Sequence, residues 1–191
     1  MSGSVHDGLT FLISTLFDLY LFVLVVRLIL VWSGANYFDP ITQFVVKVTD
    51  FIIKPLRKII PNYRRLETST LIVIIVMEII KFLLISLMSF GMPSIVGLLL
   101  LASVDTLKML IQFFFYAILL QAIISWVQPN SPVMRTLYQV TSPIMRPVQR
   151  LVPPVGGMDI SPIPAMIGLQ LLIIMLVNPL MAFAVGIAFG G

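Results

Sequence analysis

Four long apolar stretches constrain this chain more than any other feature of its sequence. They run roughly over residues 9–32, 70–90, 103–126 and 162–187, and a helix needs about 20 apolar residues to cross a bilayer core. Hydrophobic residues make up 59% of the chain and charged residues only 10%, which is more apolar surface than a soluble domain of this size can bury. The sequence therefore predicts an all-α membrane protein with about four transmembrane helices.

The start of the third stretch is the least defined boundary. Residues 95–127 are apolar apart from Asp105, Lys108 and a few small polar side chains, a length that exceeds one straight crossing. We expect a helix that begins near Ser103 and follows a short interfacial piece, Ile95–Ala102. The alternative is one long tilted helix.

An internal duplication organises the chain. Trp32 and Trp126 are 94 residues apart, and Thr49 and Thr141 are 92 apart. Further pairs at the offset of 92 are Pro55 and Pro147, Lys58 and Arg150, Pro61 and Pro153, and Ser69 and Ser161. Each copy holds two crossings, so both copies share one orientation. We expect a first copy at residues 1–92 and a second copy at residues 93–191, arranged as a parallel repeat.

The two long loops, residues 33–68 and 127–160, carry nine of the twelve Lys and Arg residues. The positive-inside rule therefore predicts cytoplasmic loops and periplasmic termini in a bacterial inner membrane. Apolar and polar residues alternate at helical spacing in each loop, which predicts an amphipathic interfacial helix that prolines break into short pieces. Its basic residues either seat the protein on anionic headgroups or dock a cytoplasmic partner. They are Lys47, Lys54, Arg57, Lys58, Arg146 and Arg150.

Polar side chains inside the predicted spans occur at matching positions of the two copies. The offset is 94 residues between Asp18 and Gln112 and between Arg27 and Gln121. It is 92 between Glu78 and Gln170, and at that offset Lys81 corresponds to the apolar Ile173. A charge in the bilayer centre costs at least about 2.5 kcal/mol, so we expect these residues to form a shared polar layer. From the helical rise, Asp18 should meet Lys81 and Arg27 should reach Glu78. The layer is either interhelical glue or an ion or proton pathway.

Helix caps and one helix distortion are also predicted. Ser161 before Pro162 is typical of a helix start, with Asp159 positioned to satisfy terminal amides. A binding turn for a lipid headgroup or a partner is the alternative role for this segment. Glu67 with Thr68 and Ser69 should cap the corresponding helix of the first copy. Asn178-Pro179 predicts a kink inside the fourth span.

The residue types that enzymes need are scarce. The chain has no cysteine and one histidine, His6, so thiol nucleophiles, histidine-assisted serines and His/Cys metal sites are unsupported. No phosphate-binding glycine loop is present. We expect no enzymatic activity, no metal, no cofactor and no direct nucleic-acid partner.

Several segments resemble the YggT family of small bacterial membrane proteins, which has plastid relatives. They are the Arg27…Trp32 helix end, residues 40–49, the Pro-Leu-Arg-Lys-Ile-Ile-Pro run at 55–61, residues 141–153 and the Gly-Gly-Met-Asp-Ile-Ser-Pro run at 156–162. The first copy departs at Phe51, where the second has Pro143, and lacks the Gly-Gly pair. The resemblance implies a link to osmotic or ion homeostasis; plastid and cyanobacterial members are linked to nucleoid distribution, division and cytochrome-complex assembly.

We therefore expect a non-enzymatic inner-membrane protein that organises membrane partners or assists their assembly, with a link to osmotic stress tolerance. The alternative is a small oligomeric ion channel or transporter-like protein that uses the charged layer. The expected partners are the lipid bilayer with its anionic headgroups, an unidentified membrane or cytoplasmic protein, and a second copy of the chain.

Overall fold

The computed structural model describes residues 2–63, 66–89, 91–152 and 159–190. Seven α-helices are found in this part of the chain, with a π-helical segment, Ile173–Val177, between the last two. The helices are α1 (Ser2–Ser33), α2 (Pro40–Arg57), α3 (Thr68–Ser89), α4 (Ile95–Val127), α5 (Pro132–Leu151), α6 (Pro162–Leu172) and α7 (Asn178–Phe189). Four segments are long and apolar enough to cross a membrane: His6–Ser33, Thr68–Met88, Ile95–Val127 and Pro162–Phe189. The predicted all-α membrane fold is confirmed.

Helix α4 is a single helix of 33 residues. The expected start near Ser103 is therefore wrong, and the long-helix alternative is correct. Ser94 explains the earlier start, because its hydroxyl accepts a hydrogen bond from the Gly97 N–H at 3.1 Å and caps the helix. The same hydroxyl donates to the Ile187 carbonyl at 2.8 Å, and the Ser94 N–H donates to the Ala188 carbonyl at 2.9 Å. The beginning of α4 is thus fixed against the end of α7.

The distortion expected at Asn178-Pro179 takes the form of a π-helical turn. The Asn178 N–H donates to the Ile173 carbonyl, five residues earlier. Proline has no N–H to donate within a helix. In the π-helical turn just before Pro179, the backbone hydrogen bond spans five residues instead of four. The fourth crossing therefore continues through Pro179 without a break.

One apolar core joins the two copies. Helix α1 packs against α3, and α4 packs against α3, α6 and α7. The main cluster contains buried residues from both copies, among them Leu21, Leu24 and Ile74 from the first and Met109 and Phe113 from the second. Helix α4 is therefore the element through which both halves are held together.

The two amphipathic segments are continuous helices, α2 and α5, rather than the short pieces expected from their prolines. Pro55 lies in the last turn of α2, while Pro143 and Pro147 lie inside α5. The Ser142 hydroxyl donates to the Gln139 carbonyl at 2.9 Å, which is the carbonyl that Pro143 leaves without an amide partner. Both helices lie at the same end of the crossing helices, which we call the loop side. They bury Thr42, Val45, Thr49 and Ile53 of α2, and Met134, Thr136, Leu137, Val140, Thr141 and Met145 of α5.

Gly97 provides a test of the α4–α7 contact. A Cβ atom on Gly97 would lie 2.1 Å from the Ala188 Cα, so Gly97→Ala must push the two backbones apart. We expect the free energy of unfolding in detergent to fall by about 1–3 kcal/mol, as for other overpacked sites. Gly186→Ala on α7 is the matched control, because a Cβ there meets open space. An equal loss in both variants, measured by denaturant titration, would contradict the close approach.

Candidate functional site

Arg27 of α1 is buried and forms the centre of a polar cluster on the loop side. Its Nε and Nη2 donate to the two carboxylate oxygens of Glu67 at 2.7 and 3.0 Å. Its Nη1 donates to the Thr49 hydroxyl and to the Asp50 carboxylate of α2, both at 2.8 Å. The guanidinium therefore holds α1, α2 and the residue before α3 in one arrangement, which we call the arginine bracket.

The expected contact between Arg27 and Glu78 is wrong. Arg27 lies about 9 Å below the loop-side end of α1, from the helical rise, and its long side chain extends toward that end, where charged groups are best solvated. Glu67 lies directly before α3 at the same end, whereas Glu78 lies three turns deeper in the membrane span. Sequence reasoning assigned Glu67 to capping and missed it as the partner of Arg27.

Glu67 is completely buried, and its ionisation is set by its partners. Burial raises the pKa of this carboxyl, but hydrogen bonds from Arg27 and from the Thr70 hydroxyl oppose burial and leave the pKa below its ordinary value. The Thr70 bond measures 2.6 Å. Glu67 is thus held as a carboxylate, which is the form that pairs with the guanidinium.

The second copy repeats the bracket with uncharged groups. Gln121, the counterpart of Arg27, is buried, and its Oε1 accepts a hydrogen bond from the hydroxyl of Thr141, the counterpart of Thr49. Asp159, the counterpart of Glu67, instead accepts from the backbone N–H of Ser161 and from Gln149, both at 2.9 Å. A polar contact between crossing helix and amphipathic helix is therefore present in both copies, although only the first is ionic.

Ser161 does not cap α6 as expected. Its backbone is already helical and its side chain makes no capping hydrogen bond. Asp159 takes that part, because its Oδ1 accepts from both the N–H and the hydroxyl of Ser161. These hydrogen bonds and the one from Gln149 outweigh burial and place the pKa of Asp159 below its ordinary value.

Lys81 of α3 forms a second polar cluster, here called the lysine cluster, inside the membrane-spanning segments. Its Nζ lies 2.9 Å from Asp18 of α1, 2.7 Å from Glu78 and 2.7 Å from Asp105 of α4. Asp18 is the partner expected from the residue count. Glu78 is fully buried, and among the described residues neither of its oxygens has a partner in hydrogen-bond geometry. One ammonium group therefore faces three carboxyl groups from three helices.

Asp105 was missed as a member of the lysine cluster. Its counterpart in the first copy is Phe11, so the comparison of the copies gave no polar match. The only signal was an acidic residue inside an apolar stretch, and such a residue needs a partner.

The seven polar residues expected to form a single layer do not do so. Gln112 is half-buried and Gln170 is exposed. Gln170 lies on the outer face of α6, whose buried face consists of Pro162, Ala165 and Leu169. A matching position in the repeat fixes the height of a residue on its helix, but the two copies have different neighbours, so the surroundings differ. The arginine bracket and the lysine cluster are separate groups.

The predicted basic residues of the amphipathic helices lie on the surface. Lys47, Lys54, Arg57, Lys58, Arg146 and Arg150 are all exposed, and we call this set the basic surface. Phe44 and Phe51 are exposed beside it, at 63% and 70%. Pro55, Pro61 and Pro147 are exposed as well, whereas Pro153 lies outside the described residues.

Helix α5 also binds the first copy directly, a contact that sequence reasoning missed. The Thr136 hydroxyl donates to Asp39 at 2.8 Å. The Gln139 side-chain amide donates to the carbonyls of Ser33 and Gly34, at 2.8 and 2.9 Å. Gly34 has a positive φ of 70°, a conformation that glycine adopts readily where a helix ends. These contacts place both amphipathic helices on the same side of the molecule.

Four apolar crossings with two amphipathic helices on one side define a multi-pass α-helical membrane protein. Among the described residues, no group of three His, Asp or Glu side chains is arranged to hold a metal ion. The CCB3/YggT family model matches residues 6–88 and 100–180, one segment in each copy. The chain belongs to the CCB3/YggT family.

Relatives from three bacteria match most of the chain. A Vibrio alginolyticus protein described as "uncharacterized protein in proC 3'region" is 38% identical over 167 residues, which cover 86% of this chain and 90% of the relative. The uncharacterized protein YggT of Escherichia coli K12 is 38% identical over 159 residues, or 82% of each chain. An uncharacterized protein of Pseudomonas aeruginosa is 33% identical over 182 residues, or 93% of this chain and 92% of the relative. No solved structure matches this chain significantly.

Breaking the arginine bracket should destabilise the fold. Arg27→Gln leaves the buried Glu67 without its counter-charge, and we expect a loss of about 3–5 kcal/mol in the free energy of unfolding in detergent. Adding Glu67→Gln should recover part of that loss, because the pair is then neutral, as in the second copy. Arg57→Gln is the control: Arg57 also faces Glu67, at 3.5 Å, but is half exposed, so we expect a change within about 1 kcal/mol. Equal losses for Arg27→Gln and Arg57→Gln would contradict this assignment.

Glu67 should also make stability depend on pH. Its folded pKa lies below the ordinary value of 4.5, so the unfolded chain binds the proton more readily. The contribution is complete above pH 4.5 and is lost as the pH falls from there through the lower folded value. The melting temperature in detergent, measured over a pH series, should fall more steeply with acid in the parent protein than in Glu67→Gln. Parallel curves would show that Glu67 does not carry this dependence.

Proposed function

We propose that this protein is a non-enzymatic platform of the bacterial inner membrane that holds an acidic partner protein at the membrane surface and assists its assembly. In this proposal the loop side faces the cytoplasm and both termini face the periplasm. The basic surface contacts anionic lipid headgroups and the partner. The crossing helices fix the position and angle of that surface.

The observation that carries the proposal is the anchoring of the two amphipathic helices. Helix α2 is tied to α1 and α3 through Arg27, and α5 is tied to α4 through Gln121 and to the first copy through Gln139. Their basic side chains nevertheless remain exposed. A surface held in place before binding loses little conformational entropy on association, which suits a docking platform better than a loose membrane anchor.

Charge and composition support the location of the platform. Each Lys or Arg near an anionic leaflet contributes on the order of 1 kcal/mol. The exposed Phe44 and Phe51 lie on the same helix as Lys47 and Lys54, and aromatic residues beside basic ones favour the headgroup boundary. The lysine and arginine bias of the two loops favours the cytoplasmic side.

The platform predicts a partner that depends on the basic surface. Crosslinking in native membranes, purification and mass spectrometry should identify a protein that is recovered with the parent chain. Recovery should drop several-fold with Lys47→Gln, Lys54→Gln and Lys58→Gln combined, and should weaken as salt screens the contact. Lys108→Gln is the control for loss of a single charge, because Lys108 lies on α4 outside the basic surface, and it is compared with each of the three single lysine variants. Undiminished recovery of the same protein with the triple variant would overturn the docking assignment.

A second function is favoured by the lysine cluster. Three carboxyl groups and one ammonium inside the spans are the kind of group that marks ion or proton pathways, so an ion-conducting assembly is the competing proposal. The platform predicts that liposomes containing the purified protein show the same potassium and sodium flux as empty liposomes. A protein-dependent flux that disappears in Glu78→Gln and Asp105→Asn would overturn the platform in favour of conduction.

A further inference from the structure

The two copies meet through unlike surfaces. Helix α3 of the first copy packs against α4 of the second, and Lys81 contacts Asp105 across this joint. On the loop side, Gln139 of α5 binds the end of α1 at Gly34. Exchanging the two copies would instead bring α1 against α6 and α7, but no comparable packing joins these helices within the described part of the chain. The joint is therefore head-to-tail. Each copy uses one surface in this joint, and the equivalent of that surface on the other copy is left without a partner.

The outer face of α1 is the unused counterpart of the packed face of α4. Met109 and Phe113 of α4 are each 8% exposed. Their counterparts at the offset of 94 are Thr15 and Leu19, and Leu19 is 66% exposed. Phe11, the counterpart of Asp105 in the lysine cluster, is 71% exposed, whereas the Asp105 side chain is 13% exposed.

The loop side shows the same inequality. Gln139 of α5 is exposed but donates two hydrogen bonds to the end of α1. Its counterpart Lys47 on α2 is also exposed and has no hydrogen-bond partner among the described residues. The receiving position, Gly34, corresponds to Gln128 at the end of α4, which accepts no side-chain hydrogen bond within the described part of the chain. The neighbouring Val127 is 73% exposed. The first copy thus carries one half of a second such contact and the second copy carries the other half, and the two halves do not meet within one molecule.

Two polar side chains distinguish a protein partner from lipid on these faces. Lipid tails cover apolar residues adequately, but an amide or carboxylate at bilayer depth prefers a protein partner. Gln170 on α6 is exposed, although its counterpart Glu78 is fully buried in the joint between the copies. The Asp18 side chain on α1 remains half exposed despite its contact with Lys81.

We propose that a second copy of this chain docks head-to-tail, with the outer face of α1 and α2 of one molecule against α6 and the end of α4 of the next, repeating the joint between the two internal copies. Such a contact leaves one free surface at each end. The assembly therefore either closes into a ring or extends along the membrane. This proposal does not depend on the acidic partner, although Lys47 of the basic surface then lies in the contact between copies and is not available to that partner.

Cysteine crosslinking tests the proposal directly, because the chain contains no cysteine. The internal pair Gln139 and Gly34 predicts an intermolecular pair, Lys47→Cys in one molecule and Gln128→Cys in the next. The two single variants carry different tags, are co-expressed, and are treated in isolated membranes with a short bismaleimide. We expect a crosslinked dimer that contains both tags, and several-fold less crosslinking when either variant is expressed alone.

A second pair tests the membrane-embedded part, and a third serves as control. Phe11→Cys with Gln170→Cys should crosslink when mixed, since Asp105 and Glu78 both lie within 2.7 Å of Lys81 Nζ in the internal joint. Phe11→Cys with Ile80→Cys is the control, because Ile80 is similarly exposed on α3 but is not part of either predicted surface. Unchanged melting temperatures of the single variants show that the fold is retained.

The outcomes show whether a second copy of the chain or something else covers these faces. Dimers that form only from mixed variants support the head-to-tail contact. Dimers that form equally well from one variant alone indicate a two-fold symmetric contact and overturn it. If crosslinking stays at the level of the control pair, the faces are covered by lipid or by another protein, and the proposal is wrong.

Discussion

The burial of Arg27 is the constraint on which the loop side of this protein depends. A guanidinium stays charged under all ordinary conditions, so its position within an apolar helix requires oxygen acceptors from several directions. Glu67 and the α2 residues Thr49 and Asp50 supply them. Because these acceptors belong to different elements, satisfying one side chain fixes α2 against α1 and sets where α3 begins. A buried ion pair adds little stability over apolar packing, and its contribution here is a defined geometry.

The second copy shows what is retained when the charge is removed. Gln121 and Thr141 keep the contact between crossing helix and amphipathic helix, and burying a neutral pair costs less desolvation than burying ions. Without an arginine partner, Asp159 serves the start of α6 instead. Ser142, the counterpart of Asp50, compensates the carbonyl that Pro143 leaves free. The duplicated feature is thus the tie between helices, and its chemistry differs between the copies.

The sequence was sufficient for the elements and for part of the site. Apolar length predicted the four crossings, helical spacing predicted α2 and α5, and the rise per residue brought Asp18 to Lys81. The same count failed for Arg27, because it gives the depth of a Cα atom and not the direction in which a long side chain extends. The prediction that Gln170 is part of a polar layer was wrong for another reason. The repeat fixes the position of Gln170 along its helix, while its burial depends on neighbours that only one copy has. Ser94 marks the start of α4 locally as an N-cap, but its contacts with α7 are long-range and no local pattern records them.

The joint between the copies contains charged residues, whereas the equivalent positions on the unpaired outer faces do not, and the bilayer explains this difference. Lys81 and Asp105 carry charges, whereas their counterparts are Ile173 and Phe11. Within one chain the joint forms as the protein folds, so its charges need not face lipid for long. A surface that meets a second molecule must first exist alone in the membrane, where an unpaired charge is expensive. The unused membrane-embedded faces carry apolar residues, the uncharged Gln170, and Asp18, which Lys81 already pairs. Neither polar group is an unpaired charge, which is what head-to-tail association in a bilayer requires.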